Sequence, residues 1–246
     1  APASTMEVKD VDRNRTLVFT HWSDSYRTQH DNVENFNYWL PGNSHLRQVM
    51  NKGLTEYLFY TNLNTGEIVP WQGESFEYND TLDSIDVVIR SGVKWSDGVP
   101  FTSQDFRFAW DVTVENTDYT PNAPSWGWGV LGELPKLSTP DDLTVSWTWP
   151  EPNAGFLRMA MTNWRAMGGY IGTNGPYPYM YLPEHILSPY APGGEWGTGV
   201  EQAKLDKMAT DAGFDTWVHQ FVDKQCWYCI NTPEHAVPVI GPWYSV

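Results

Sequence analysis

Residues 92–106 read GVKWSDGVPFTSQDF, and the fold turns on this stretch. Ser96-Asp97-Gly98 has tight-turn chemistry, because Asp bonds its own backbone and Gly accepts a positive φ. Pro100 fixes an extended link and has no N–H to give to a ladder. Thr102 with Asp105 three residues on has the form of a capping box. Phe106, Trp110 and Val114 then share one face of a helix expected to run to about Asn116. The local expectation is a strand end, a tight turn, an extended link and a capped helix.

Two hairpins flank this unit. In the first, residues 76–78 and 84–90 enclose Asn79-Asp80-Thr81-Leu82-Asp83, and Ile85, Val87 and Ile89 alternate onto one face. In the second, Thr139-Pro140-Asp141-Asp142 turns the chain into residues 143–149. There Leu143, Val145, Trp147 and Trp149 face one way and Thr144, Ser146 and Thr148 the other, the pattern of a half-buried antiparallel strand.

Upstream, residues 16–21 (TLVFTH) read as a short buried strand, followed by a loop at 22–42 rich in Asn, Asp, Tyr and Trp. Asn43 or Ser44 caps a helix carrying Leu46, Val49, Met50 and Leu54. It leads to Leu58-Phe59-Tyr60 and a turn at Asn64-Thr65-Gly66. Downstream of residue 118, a Pro- and Gly-rich loop at 119–132 carries Trp126 and Trp128. A short helix is expected from Asn153 through Met161, a helical turn at 183–187, helices near 201–212 and 215–225, and a strand-like segment at 236–244. No internal repeat beyond the hairpins and no low-complexity tract is present.

With 246 residues, 41% of them apolar, the chain can bury a real core, which excludes a disordered polypeptide. Fifteen basic residues against thirty acidic ones give a net charge of −15. That field repels phosphate backbones and anionic membranes, so no nucleic-acid partner is expected. No stretch approaches the roughly 20 consecutive apolar residues of a membrane-spanning helix. The start, Ala1-Pro2-Ala3-Ser4-Thr5, reads as a mature or trimmed N-terminus.

Cys226 and Cys229 enclose Trp227 and Tyr228. A redox pair wants a strand before it and a helix after it, whereas Phe214, Trp217, Val218, Phe221 and Val222 form a helical stripe just upstream. Zinc would have to recruit His219 and His235, at a spacing that matches no common finger. A local disulfide is the favoured reading, with free thiols and a metal half-site as alternatives.

Catalysis finds little support. No G-x-S-x-G, H-E-x-x-H, G-x-G-x-x-G or P-loop pattern occurs. The carboxylate pairs Asp80/Asp83 and Asp141/Asp142 fall in hairpin turns, where Asp serves the backbone. Asp10-Val11-Asp12-Arg13-Asn14 begins like a calcium loop but lacks the central Gly and closing Glu. The expectation is a protein without catalytic residues, cofactor or metal.

The 92–106 stretch resembles the signature of family 5 of the bacterial extracellular solute-binding proteins, the peptide, nickel and oligosaccharide group. Other pieces fall in the family's order. Residues 54–59 (LTEYLF) are similar to its early "LYEPLF" stretch, and 66–71 (GEIVPW) to the next turn. Glu151-Pro152-Asn153 is similar to an "EPN" helix start, and 182–187 (LPEHIL) to a "PEHI" turn. Residues 238–243 (PVIGPW) depart from "PVGTGPY" by being one residue shorter. The likeness runs from about residue 16 to 246.

That resemblance implies an α/β fold of α+β character: the first lobe of a type II (cluster C) periplasmic-binding-protein-like clamshell. The lobe core would be residues 1–42 and 166–246, and an inserted mixed β subdomain would be 43–165. Family members are longer, so the second lobe and the returning C-terminal segment are expected to be missing here. The implied function is the substrate-binding component of an ABC importer, outside the cytoplasm in the periplasm or at the cell surface, with a lipid anchor conceivable. Its partners would be a solute and a membrane permease, and the chain would be a monomer or pair with its missing half. A free-standing carbohydrate-binding or adhesion module is the alternative, and a glycoside-active enzyme a third reading.

Fourteen Trp and thirteen Tyr exceed what packing asks of this length and suit an oligosaccharide before a peptide. Trp110, Trp147, Trp149 and Trp217 sit on apolar stripes and are assigned to packing. Loop positions without such periodicity are the ligand-binding candidates: Trp22, Asp24, Tyr38, Trp39, Trp126, Trp128, Trp164 and Arg165.

Overall fold

The computed structural model describes residues 57–62, 64–120, 130, 133–162, 180–225, 238 and 240. The strand expected at 16–21, the helix at 43–54 and most of the segment at 236–244 lie outside the described residues.

At the centre is a four-stranded antiparallel sheet in the order β3-β4-β6-β5. Its strands are β3 (Gly73–Tyr78), β4 (Ser84–Ile89), β5 (Lys136–Ser138) and β6 (Thr144–Thr148). Alternation sets the register. Ile85 lies opposite Trp147 and Val87 opposite Val145, so the two hairpins join through their apolar strands. Ile85, Val87, Ile89, Leu137, Val145 and Trp147 are buried on the inner face. On the other face Ser146 Oγ donates to Asp86 Oδ1 at 2.5 Å.

Turn chemistry closes the first hairpin. Asn79 Oδ1 accepts the N–H groups of Asp83 and Ser84, both at 3.1 Å, and its Nδ2 donates to Asp83 Oδ1 at 2.6 Å. These bonds hold Leu82 at a φ of 59°. In the second hairpin Asp141 Oδ1 accepts from Leu143 and Thr144, both at 2.8 Å. Asp141 thus serves the backbone, whereas the Asp83 carboxyl accepts from the Asn79 and Thr81 side chains while Asn79 serves the backbone there; these bonds hold both carboxyls below the usual range.

A small hairpin of β1 (Phe59–Thr61) and β2 (Ile68–Pro70) covers one end. Phe59 enters the core because Gly73 has no side chain. A Cβ there would lie 2.4 Å from the Phe59 ring, and β3 has a bulge between Gly73 and Ser75.

Helix α1 (Ser103–Ala109) continues into a π-helical turn, Trp110–Val114, and is buried on nearly all sides. Phe106, Trp110 and Val114 face the sheet and join one apolar cluster with Ile85, Val145 and Phe156. Phe108, Ala109 and Val112 face away and join a second cluster with Leu187, Leu205, Trp217 and Phe221. Apolar residues on two faces of one helix are what a wall shared by two cores requires, with the polar side chains between them paired. The expected helical stretch ends close to where the periodicity placed it. Its last turn is wider, and Thr113 Oγ1 donates back to the Ala109 carbonyl at 2.7 Å.

The second cluster is completed by α2 (Glu184–Leu187), α3 (Gln202–Asp211) and α4 (Trp217–Lys224). Thr216 caps α4, its Oγ1 accepting from the His219 N–H at 3.2 Å. Thr216→Ala is expected to lower stability by about 1 kcal/mol, read from urea unfolding midpoints. Trp110, Trp147, Trp149 and Trp217 are all buried, as their stripes predict. Among the described residues no helix is long and apolar enough to cross a membrane.

Candidate functional site

The 92–106 stretch folds back on itself before the helix begins. Trp95 N–H donates to the Val99 carbonyl at 2.9 Å, Gly98 N–H to the Trp95 carbonyl at 2.9 Å, and Phe101 N–H to the Val93 carbonyl at 3.0 Å. Gly98 sits at a φ of 92°, which a side chain would strain. Asp97 Oδ1 accepts the Val99 N–H at 3.1 Å. The link through Pro100 then delivers Thr102 to the helix start, where its N–H donates to Asp105 Oδ2 at 3.0 Å.

This turn presses Trp95 inward. Its buried ring packs edge-on against Phe101 and Tyr181, at centroid separations of 5.5 and 6.2 Å. Its Nε1 donates to Asp105 Oδ2 at 3.2 Å. Asp105 also ties down the 183–187 turn. Its Oδ1 accepts the Glu184 N–H at 3.2 Å, and its main-chain carbonyl accepts the Leu182 N–H at 3.1 Å. Burial outweighs these bonds and pushes its carboxyl up to about 6.

Two residues along α1, Arg107 makes a second polar node. Its Nε donates to Asp111 Oδ1 at 2.6 Å, its Nη2 also meets that oxygen, and its Nη1 reaches the Leu137 carbonyl at 3.0 Å and Glu195 at 3.1 Å. Asp111 Oδ2 accepts the Trp196 N–H at 3.0 Å, and Gln104 Nε2 donates to the Trp196 carbonyl. The glycine loop at 193–199 is thereby pinned to α1.

These groups hold segments together, and their polar atoms are occupied by one another. Among the described residues no cluster of His, Cys, Asp and Glu has the form of a metal site. All eight ligand candidates, Trp22, Asp24, Tyr38, Trp39, Trp126, Trp128, Trp164 and Arg165, lie outside the described residues, as do Cys226 and Cys229. The structure does show the anchors of two candidate segments. Thr120, from which the chain enters the stretch carrying Trp126 and Trp128, donates its Oγ1 to the Thr113 carbonyl at 2.6 Å. Buried Met161 precedes Trp164 and Arg165, and buried Met180 and Tyr181 follow them.

One aromatic surface was not selected by periodicity. Trp71 is 49% exposed, and its ring meets Tyr60 edge-on at 6.0 Å. Tyr60 in turn lies 5.2 Å from Tyr57. The only sequence signal was a Trp placed directly after a strand-ending Pro, off any apolar stripe.

The sequence model for bacterial extracellular solute-binding proteins, family 5 (middle part), matches residues 67–211, more than half of the chain. The chain belongs to this family. The matched region runs from the turn before β2 to the last residue of α3 and includes both polar nodes on α1. This family 5 chain is 29% identical over 100 residues to the periplasmic alpha-galactoside-binding protein of Rhizobium meliloti (strain 1021), an alignment covering 39% of the chain and 14% of that relative. Among solved structures it is similar to the oligopeptide-binding protein OppA, with a TM-score of 0.55 and 27% identity, covering 72% of the chain and 24% of OppA. The chain therefore spans about a quarter or less of the length of these relatives. The mixed α/β architecture is that of type II periplasmic-binding-protein-like members of the family.

Proposed function

We propose that this chain is part of the extracytoplasmic substrate-binding component of an ABC importer, that it captures an oligosaccharide, and that a membrane permease receives the solute. The observation that carries the reading is the family match across 67–211 with its signature folded as a turn clamped to a capped helix. Both relatives are named as binding proteins, which supports a role without catalysis.

The name of the Rhizobium relative and the Trp-rich composition support a sugar, with α-galactosides the first class to try. Aromatic faces stack on the apolar faces of pyranose rings, and loops at the ends of a rigid scaffold are where such faces are presented. The loop candidates keep their proposed role as ligand contacts. Likewise proposed is the division into a lobe core, 1–42 and 166–246, and an inserted subdomain, 43–165. Supporting it, most of the sheet-side cluster is drawn from residues 58–161, although α1 serves both clusters.

Isothermal titration of the protein at its full genomic length decides the ligand class. Raffinose-type α-galactosides, β-linked glucan and mannan oligomers and short peptides form the panel. Saturable heat with a sugar series alone is the expected result. Heat with peptides alone overturns the oligosaccharide assignment, in favour of the ligand class in OppA's name.

A further inference from the structure

Two turns far apart in sequence meet over one buried carboxylate. Asp105 is 4% exposed and accepts N–H groups from Thr102, Trp95 and Glu184, one from each of three segments. Hydrogen bonds stabilise its charge but bring no counter-ion. Arg107, two residues on, directs its guanidinium to Asp111, Glu195 and the Leu137 carbonyl. The cation acting on Asp105, among the described residues, is the imidazole of His185 on the 183–187 turn.

His185 reaches across to the signature turn. Its Nε2 lies 2.8 Å from Asp97 Oδ2, and the two form an ion pair only when the ring is protonated. The ring also lies 6.2 Å from that of Trp95, whose Nε1 bonds Asp105. The other ionisable side chains on these packed segments are exposed Lys94, half-buried Glu184 and the buried Tyr181. With the imidazole neutral, the Asp105 carboxylate has no cation beside it at a place where burial disfavours its charge. A proton on either His185 or Asp105 relieves it.

We propose that Asp97 and His185 form a proton-operated latch, with Asp105 as its buried anchor, that holds the 183–187 turn against the signature turn in mild acid and loosens at neutral pH. The direction of linkage supports this. Asp105 is raised in the folded protein from 3.8 to about 6, so its proton is bound more tightly in the folded state. Its contribution to stability is full below the unfolded value and is lost as pH rises through about 6. One such proton makes the unfolding constant about tenfold larger at pH 7 than at pH 5. A protonated ring adds an ion pair to the His185–Asp97 hydrogen bond, which acts in the same direction.

The test is a double-mutant cycle on the full chain with Asp97→Asn and His185→Gln, by urea unfolding at pH 5.5 and pH 8 and fixed salt. Both side chains are partly exposed, at 34% and 22%, so neither change empties the core. The expected coupling is about threefold in the unfolding constant at pH 5.5 and smaller at pH 8, where only the neutral hydrogen bond is left. The wild-type constant rises at least tenfold, on the order set by one proton, between pH 5 and 7. Coupling of equal size at both pH values, or none at pH 5.5, overturns the latch.

Discussion

Phe106→Ala is expected to lower the free energy of unfolding by about 3–5 kcal/mol, the cost of emptying a fully packed aromatic site. Phe106 has no exposed surface, and its ring lies 5.4 Å from Phe101, 5.4 Å from Tyr181 and 6.1 Å from Trp147. Those three belong to the link, the irregular segment before α2 and the sheet, so collapse around the void would require three segments to move together. Domains of ordinary stability hold about 5–15 kcal/mol in total, so the variant loses a large share of its margin. Phe106→Leu, which keeps most of the volume, should cost less than about 2 kcal/mol. Trp71→Ala is the matched surface control, since that ring is half exposed, and should change stability by no more than about 0.5 kcal/mol. Urea midpoints measure all three. A loss at Phe106 no larger than at Trp71 would mean that α1 is not docked on the sheet through this ring.

The position of Phe106 was readable because three independent local signals agreed. Asn79 and Asp141 both stand where a turn needs a side chain to take backbone N–H groups, and both do so. Ile85, Val87 and Ile89 alternate, as do Val145, Trp147 and Trp149, and all six are buried. Thr102 and Asp105 mark a helix start through bonds that span only three residues. What local patterns do not contain is the pairing of β4 with β6. Their apolar faces are alike, and the choice between them is made by long-range burial, with some sixty residues of sequence between Ile85 and its partner Trp147. For the same reason the helix face carrying Phe108 and Val112 was not distinguished from a solvent face. Its partners Leu205 and Phe221 lie on helices about a hundred residues on.

The site is less legible than the fold. Loop aromatics at Trp126 or Trp164 stand out only because no stripe explains them, and a property defined by missing periodicity carries no geometry. The polar nodes are a sharper case. Arg107 and Asp111 stand four residues apart, an ordinary helix pair on its face. Only the contacts with Leu137, Glu195 and Trp196 turn that pair into a clamp. Likewise Asp105 was legible as a cap, whereas its bond to the Glu184 N–H depends on how α2 is brought alongside α1. Glu184 lies on the "PEHI"-like turn and Asp105 in the signature, so two family motifs that look separate in sequence prove to be halves of one junction.

Asp111→Ala should cost about 3–5 kcal/mol, because it leaves a buried cation without its main partner. The side chains of Arg107 and Asp111 are each 6% exposed. Removing the carboxylate strips Arg107 of the acceptor for its Nε and leaves the Trp196 N–H without its acceptor. Glu195 at 3.1 Å and Glu115 at 3.6 Å remain by the guanidinium, yet they are 79% and 52% exposed and too well solvated to replace the lost charge. Glu195→Ala should therefore cost less than about 1 kcal/mol, and its effect should fade in high salt. The pair Arg107→Met with Asp111→Leu distinguishes attraction from desolvation. Swapping both charges for apolar groups of similar size removes the stranded cation, so the double variant is expected to be more stable than Asp111→Ala alone. The glycine loop supplies a second readout. Asp111 Oδ2 lies 2.5 Å from where a Cβ on Gly194 would stand, so the carboxylate seats the loop as well as neutralising Arg107. Amide exchange at Trp196 should speed up in Asp111→Ala and stay near wild type in Glu195→Ala. Equal losses in these two variants would show that the exposed glutamate balances the arginine as much as the buried aspartate does.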